Sequence, residues 1–108
     1  MYTLVAASNV ADSLINMQRF EEAKRVLRKV IPVAQRVLGT QNELTLSLRE
    51  DLSRATLDGE SSAEEKREAL RMLEELAGVM RRVLGPVHPD TSHAQGMLKV
   101  YRRRFPTK

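Results

Sequence analysis

The sequence predicts an all-α fold: a right-handed α-solenoid of antiparallel helix hairpins, with five helices in the order A-B-A-B-A. Three observations carry it. Apolar residues recur at spacings of three and four along most of the chain, which is the period of an amphipathic helix. A ten-residue punctuation mark, Arg82–Thr91 (RVLGPVHPDT), has a weaker copy at Arg36–Thr45 (RVLGTQNELT), 46 residues earlier. A recurrence at that period is the mark of a helical repeat array. Finally, 42% of residues are hydrophobic but only 4% aromatic, with no Trp, so the core is built from Leu, Val, Ala, Ile and Met. Such a core suits helix-on-helix packing.

The punctuation is a helix stop, a rigid turn and a helix start. Val83 and Leu84 close an apolar stripe, Gly85 takes a left-handed backbone beyond the helix end, and Pro86 forbids continuation. Pro89 biases His88 toward extended geometry. Pro89, Asp90 and Thr91 then supply a fixed φ, a carboxylate for the positive helix end and a hydroxyl able to cap.

Taken in order, the first helix spans Thr3 to Met17, with Leu4, Ala7, Val10, Ala11 and Leu14 on one face. Gln18-Arg19-Phe20 forms a short turn, and Glu21-Glu22 open the second helix with the charge its dipole favours. Ala23, Val26, Leu27, Val30, Ala34, Val37 and Leu38 make its stripe, with Phe20 plugging the gap between the two helices. Small Ala11 and Ala23 allow close approach. Pro32 is expected to kink this helix at a cost of about 3 kcal/mol, and the stripe keeps its phase beyond it.

Glu43 to Leu57 is the third helix, made polar by Arg49, Glu50 and Asp51. Asp58 to Ser62 is loop. Ser62 with Glu65 three residues later is a capping box that opens the fourth helix. Ala69, Met72, Leu73, Leu76, Ala77, Met80, Val83 and Leu84 line it, and Gly78 weakens it slightly. Ala94, Met97, Leu98, Tyr101 and Phe105 mark a fifth helix ending near Pro106.

Composition narrows the function classes. Cysteine is absent, which removes disulfides and thiolate metal sites and fits a cytoplasmic location. No run of about 18 apolar residues exists to span a membrane. The net charge of +4 is segregated: +3 over residues 1–40, −5 over 41–78 and +6 over 79–108.

The turn Arg82–Thr91, together with Thr3-Leu4, Asn9-Val10-Ala11 and Arg19-Phe20-Glu21-Glu22-Ala23, resembles the tetratricopeptide repeats of kinesin light chains. The resemblance implies a non-enzymatic scaffold that binds a partner peptide or helix on the concave face formed by the A helices. It implies about two and a half repeats within a single domain, residues 1–108, divided as 1–42, 43–88 and 89–108. The last is a half repeat or capping helix, and the start at a repeat boundary suggests a piece of a longer array. In this family an Asn of helix A lines the groove and grips an extended peptide. Asn9 holds that position, whereas Asp51 and Met97 hold it in the later repeats. About four extra residues lie around Asp58–Ser62.

The expected partner-binding groove is thus Ser8, Asn9, Asp12 and Asn16 on the first helix, continued by Glu50, Arg54 and Asp58 on the third. A second candidate is the basic cluster Lys99, Arg102, Arg103, Arg104 and Lys108, suited to an acidic peptide, phosphate or nucleic acid. Against it stands the ordinary role of cations at a helix C-terminus, and nucleic acid is the less favoured partner. A purely structural spacer is a third reading. His88, Asp90 and His93 do not converge as metal ligands on helical geometry, and no catalytic or cofactor-binding motif is present, so no enzyme, metal or cofactor is expected. The fifth helix lacks a following B helix. Ala94, Met97, Tyr101 and Phe105 are therefore expected to be partly exposed, and the isolated protein to dimerise or exchange that helix.

Overall fold

The computed structural model describes residues 3–105, and among them there is no strand. Five helices follow in order: α1 (Leu4–Asn16), α2 (Phe20–Leu38), α3 (Glu43–Asp58), α4 (Ala63–Val83) and α5 (Pro89–Arg104). Four of the five begin where a side chain satisfies a first-turn backbone donor; α2, which follows Arg19, has no such cap. Thr3 Oγ1 accepts from the Ala6 amide at 3.0 Å, and Asn42 Oδ1 from Leu44 at 2.9 Å. Ser62 and Glu65 cap reciprocally, as the capping box predicts, at 3.1 and 3.0 Å. At α5 the cap is His88, whose Nδ1 accepts from the Asp90 amide at 3.0 Å.

Thr91 therefore does not cap its own helix as its position suggests. Its fully buried hydroxyl instead donates 3.2 Å across the turn to the Met80 carbonyl, in the last turn of the preceding helix. Thr45, its counterpart one repeat earlier, reaches Ala34 in the same way at 3.4 Å. These bonds explain why a Thr recurs after each VLG stop: it fastens one hairpin to the next. Thr91→Val keeps the shape and removes the donor, so it should lower stability by about 1 kcal/mol. The midpoint of urea unfolding measures this, and an unchanged midpoint would deny the clasp.

Three turns depend on positive-φ backbone, at Gln18, Gly39 and Gly85. Gly85 has φ +100° just beyond α4, as predicted. Gln18 has φ 61° and closes α1 with bonds from Gln18 to Ile15 and from Arg19 to Leu14, at 2.9 and 2.8 Å. This is a Schellman end with a side chain where Gly is usual, a conformation costing about 1 kcal/mol. α2 runs unbroken through Pro32, which lies on its exposed side, and Ala34 beyond it is fully buried.

Ala11 and Ala23 are both fully buried, and Phe20 packs with Leu14, Ile15, Ala23 and Ala55, filling the gap between α1 and α2. The stripes differ from the sequence pattern at their edges. Val37 is 65% exposed, while Ile31 takes a buried place in α2; in α4, Met72 and Val83 stay open. Periodicity gives the face of a helix, not how far a neighbour covers it. Ala94 and Tyr101, expected to be partly exposed, are buried against α4, and Met97 and Phe105 are half-buried.

No single central core exists. Leu27, Ile31, Ala34 and Leu48 join α2 to α3, while Leu46, Leu57, Leu73, Met80 and Leu98 join α3, α4 and α5. α3 sits between the two halves and is the most enclosed helix, burying even Glu50 and Asp51. Along the stack, α1 approaches α3 and α3 approaches α5 within 8 Å between Cα atoms, whereas α2 and α4 never do. The A helices converge and the B helices splay, so the slab of 44 × 31 × 21 Å is concave on the side of α1, α3 and α5.

Candidate functional site

The concave wall is a row of ionisable side chains tied from helix to helix. Asp12 on α1 faces Arg54 on α3, with Nη2 to Oδ1 at 3.9 Å, and the same guanidinium nitrogen lies 3.8 Å from Asp51. The repeat offset of 42 residues that pairs Thr3 with Thr45 also places Asp12 opposite Arg54, so this contact joins equivalent positions. Farther along, Glu50 Oε2 takes a 2.8 Å hydrogen bond from His93 Nδ1 on α5. Asp58 accepts from Arg104 at 3.1 Å, and that guanidinium lies over the Tyr101 ring, 5.4 Å from its centroid.

Burial sets the electrostatics of this row. Asp51 is pushed up to about 8, first by desolvation and then by the Asp12 carboxyl beside it, with Arg54 only partly opposing. Its Oδ2 and Arg54 Nε are buried without a hydrogen-bond partner. Burial also raises Glu50, against the bond from His93. The Tyr101 phenol is raised by burial and by the Asp58 carboxylate.

The sequence-derived groove residues divide by exposure. Asn9 and Asn16 are exposed on α1, and half of the Asp12 side chain is open. Arg54 is half-buried in the seam. Ser8 and Glu50 are enclosed, at 8% and 5% exposure, so the wall they were expected to line presents neither to solvent. Ser8 turns into the packed side of α1, and Glu50 becomes the hidden support of His93. His93 itself is 53% exposed at its side chain, and its Nδ1 is the atom engaged by Glu50. Sequence spacing could not find it, since Glu50 lies 43 residues away.

The basic cluster is dispersed as well. Arg102 is held by Glu74 of α4 through bonds of 2.7 and 3.2 Å, and Arg104 by Asp58. Among the described residues only Lys99 and Arg103 of this cluster carry no ion pair. Lys108 and Pro106 lie outside the described residues.

His88 and His93 part company at the start of α5. His88 Nε2 lies 2.6 Å from Glu43 at the start of α3, and the ligand atoms of Glu43, His88 and Asp90 fall within 4.8 Å of one another. Their hydrogen bonding argues for a hydrogen-bonded staple between repeats. Nδ1 accepts from a backbone amide, so the ring proton of neutral His88 is on Nε2 and points at Glu43. Metal-bound imidazoles have the opposite arrangement, with the second nitrogen donating.

The family model of the tetratricopeptide repeat matches residues 3–43 and 60–90. The chain belongs to the tetratricopeptide-repeat family. The first match takes in α1, α2 and the turn after them; the second takes in α4 and the turn into α5. Between the matches lies most of α3, the helix that carries Glu50, Asp51 and Arg54. Comparison with curated proteins and with solved structures gave no match. Tetratricopeptide repeats mediate protein–protein interaction in general, and among the described residues no helix is long and apolar enough to cross a membrane.

Proposed function

We propose that this tetratricopeptide-repeat chain is a non-enzymatic cytoplasmic scaffold of the kinesin-light-chain type, binding an extended partner peptide on its concave wall. The convergence of α1, α3 and α5 is the observation that carries the reading, and Asn9, Asp12, Asn16, Arg54 and His93 are the side chains we assign to the wall those helices form. Asn9 and Asn16 make no side-chain hydrogen bond among the described residues, so both amides are free for a peptide backbone. His93, fixed through Nδ1 by Glu50, adds an oriented Nε2. We divide the chain into repeats 1–42, 43–88 and 89–108, a reading that the Thr45 and Thr91 clasps support.

The test is selection of binders from a random peptide display library, followed by titration calorimetry of an enriched peptide. Asn9→Ala with Asn16→Ala should weaken it about tenfold, the loss of two hydrogen bonds at the interface. Unchanged affinity would remove the assignment. The alternative, phosphate or nucleic acid on the C-terminal cations, is disfavoured by the engagement of Arg102 and Arg104. It would show as oligonucleotide binding that falls steeply between about 50 and 200 mM salt.

A further inference from the structure

The convex side carries a second surface, independent of the concave reading. Where α2 and α4 splay apart over α3 they leave a groove of about 600 Å³. Its apolar lining is Ile31 from α2, Leu52 from α3, and Ala69 and Met72 from α4. Met72 is 41% exposed, although it belongs by periodicity to the buried stripe of α4. The two walls differ in sign. Arg28 of α2 and Arg49 of α3 lie on one side, with no ion-pair partner among the described residues, and Glu64, Glu65 and Glu68 of α4 lie on the other, Glu65 holding the Ser62 amide and Glu68 paired with the exposed Arg71.

We propose that this groove docks an amphipathic helix of a partner protein, one carrying acidic side chains along one flank of its apolar stripe and basic side chains along the other. Charge complementarity selects that occupant: a uniformly acidic or basic helix would set like charges against one wall. A helix is favoured over a strand because both walls are helices whose backbone groups are mostly paired within them, the Arg28 carbonyl opposite Pro32 and the first-turn amides of α4 excepted. Thr56 on the floor likewise spends its hydroxyl on the Leu52 carbonyl at 2.8 Å. An extended peptide would find few main-chain partners and no continuous ladder there, whereas a helix satisfies its own. The walls from Arg28 to Gln35 and from Glu64 to Met72 run roughly 12 Å, room for about two turns.

Three fluorescein-labelled helical peptides of about 14 residues test this, each with the same Leu stripe. One has a Glu flank and a Lys flank, one has Glu on both and one has Lys on both. Anisotropy titration should show the mixed peptide binding about tenfold tighter than either uniform one. Arg28→Glu should move the preference to the Lys peptide, Glu68→Arg should move it to the Glu peptide, and Met72→Glu should weaken all three. These positions are exposed, and far-UV circular dichroism verifies that the variants fold. Equal binding of the three peptides, or preferences indifferent to the charge substitutions, would overturn the proposal. So would concentration-dependent self-association abolished by Met72→Glu, which would assign the groove to a second copy of the chain.

Discussion

Asp51→Asn should stabilise the protein at pH 8 and leave it nearly unchanged at pH 4. In the fold the carboxyl holds its proton up to about pH 8, against an ordinary value of 3.8, because it is buried beside Asp12 and Arg54 only partly compensates. Between those two values the folded state binds a proton that the unfolded chain releases. Stability from this group is therefore complete below about pH 4 and lost as pH rises toward 8. Asn fills the same space without a charge to ionise, and the gain at pH 8 should be on the order of 2 kcal/mol. Glu50, also raised by burial, contributes a slope of the same sign in both proteins. The difference between wild type and Asp51→Asn isolates Asp51. Urea midpoints measured from pH 4 to pH 8 give that difference, and a gap that shrinks as pH rises would contradict the assignment.

Gly59→Ala should cost about 2 kcal/mol and lower the melting temperature by about 10 °C. The reason is space rather than dihedral strain, since Gly59 has an ordinary φ of −88°. A Cβ there would stand 2.7 Å from the Ala55 carbonyl oxygen and 2.8 Å from Phe20 Cβ. The first contact is with backbone held in α3, which accepts the Gly59 amide at 3.0 Å, so it cannot turn aside. Phe20 opens α2 and packs against the end of α1, so relieving the second contact would disturb both helices. Calorimetric unfolding checks the shift. A variant melting within a degree or two of wild type would mean that the α3–α4 loop yields freely.

The helices were legible because their signals are local. The Ser62–Glu65 box sits where the first turn of α4 needs acceptors, and the stripe of α2 carries through Pro32 in phase. The repeat was legible from the copied turn, and the separate 42-residue offset of Thr3 from Thr45 brings Asp12 to Arg54. What escaped the sequence depends on neighbours far along the chain. Glu50 and Asp51 looked like the wet face of α3, yet that helix lies between two others and has little wet face. Met72 looked like core, but α2 stands too far from α4 to cover it. Gln18 gave no sign of its left-handed backbone, since only hydrogen bonds closing onto Leu14 and Ile15 impose it. The Arg102–Arg104 run read as one patch, but a helix turns successive residues through about 100° and delivers these to different acidic partners.

The central place of α3 governs how the chain comes apart. Leu48 belongs with the helices before it, while Leu46 and Leu57 belong with those after it. Detaching either end hairpin would wet a flank of α3 and loosen the footing of the opposite end. Neither half keeps a private reserve of stability, so an architecture assembled from modules surrenders all of them together.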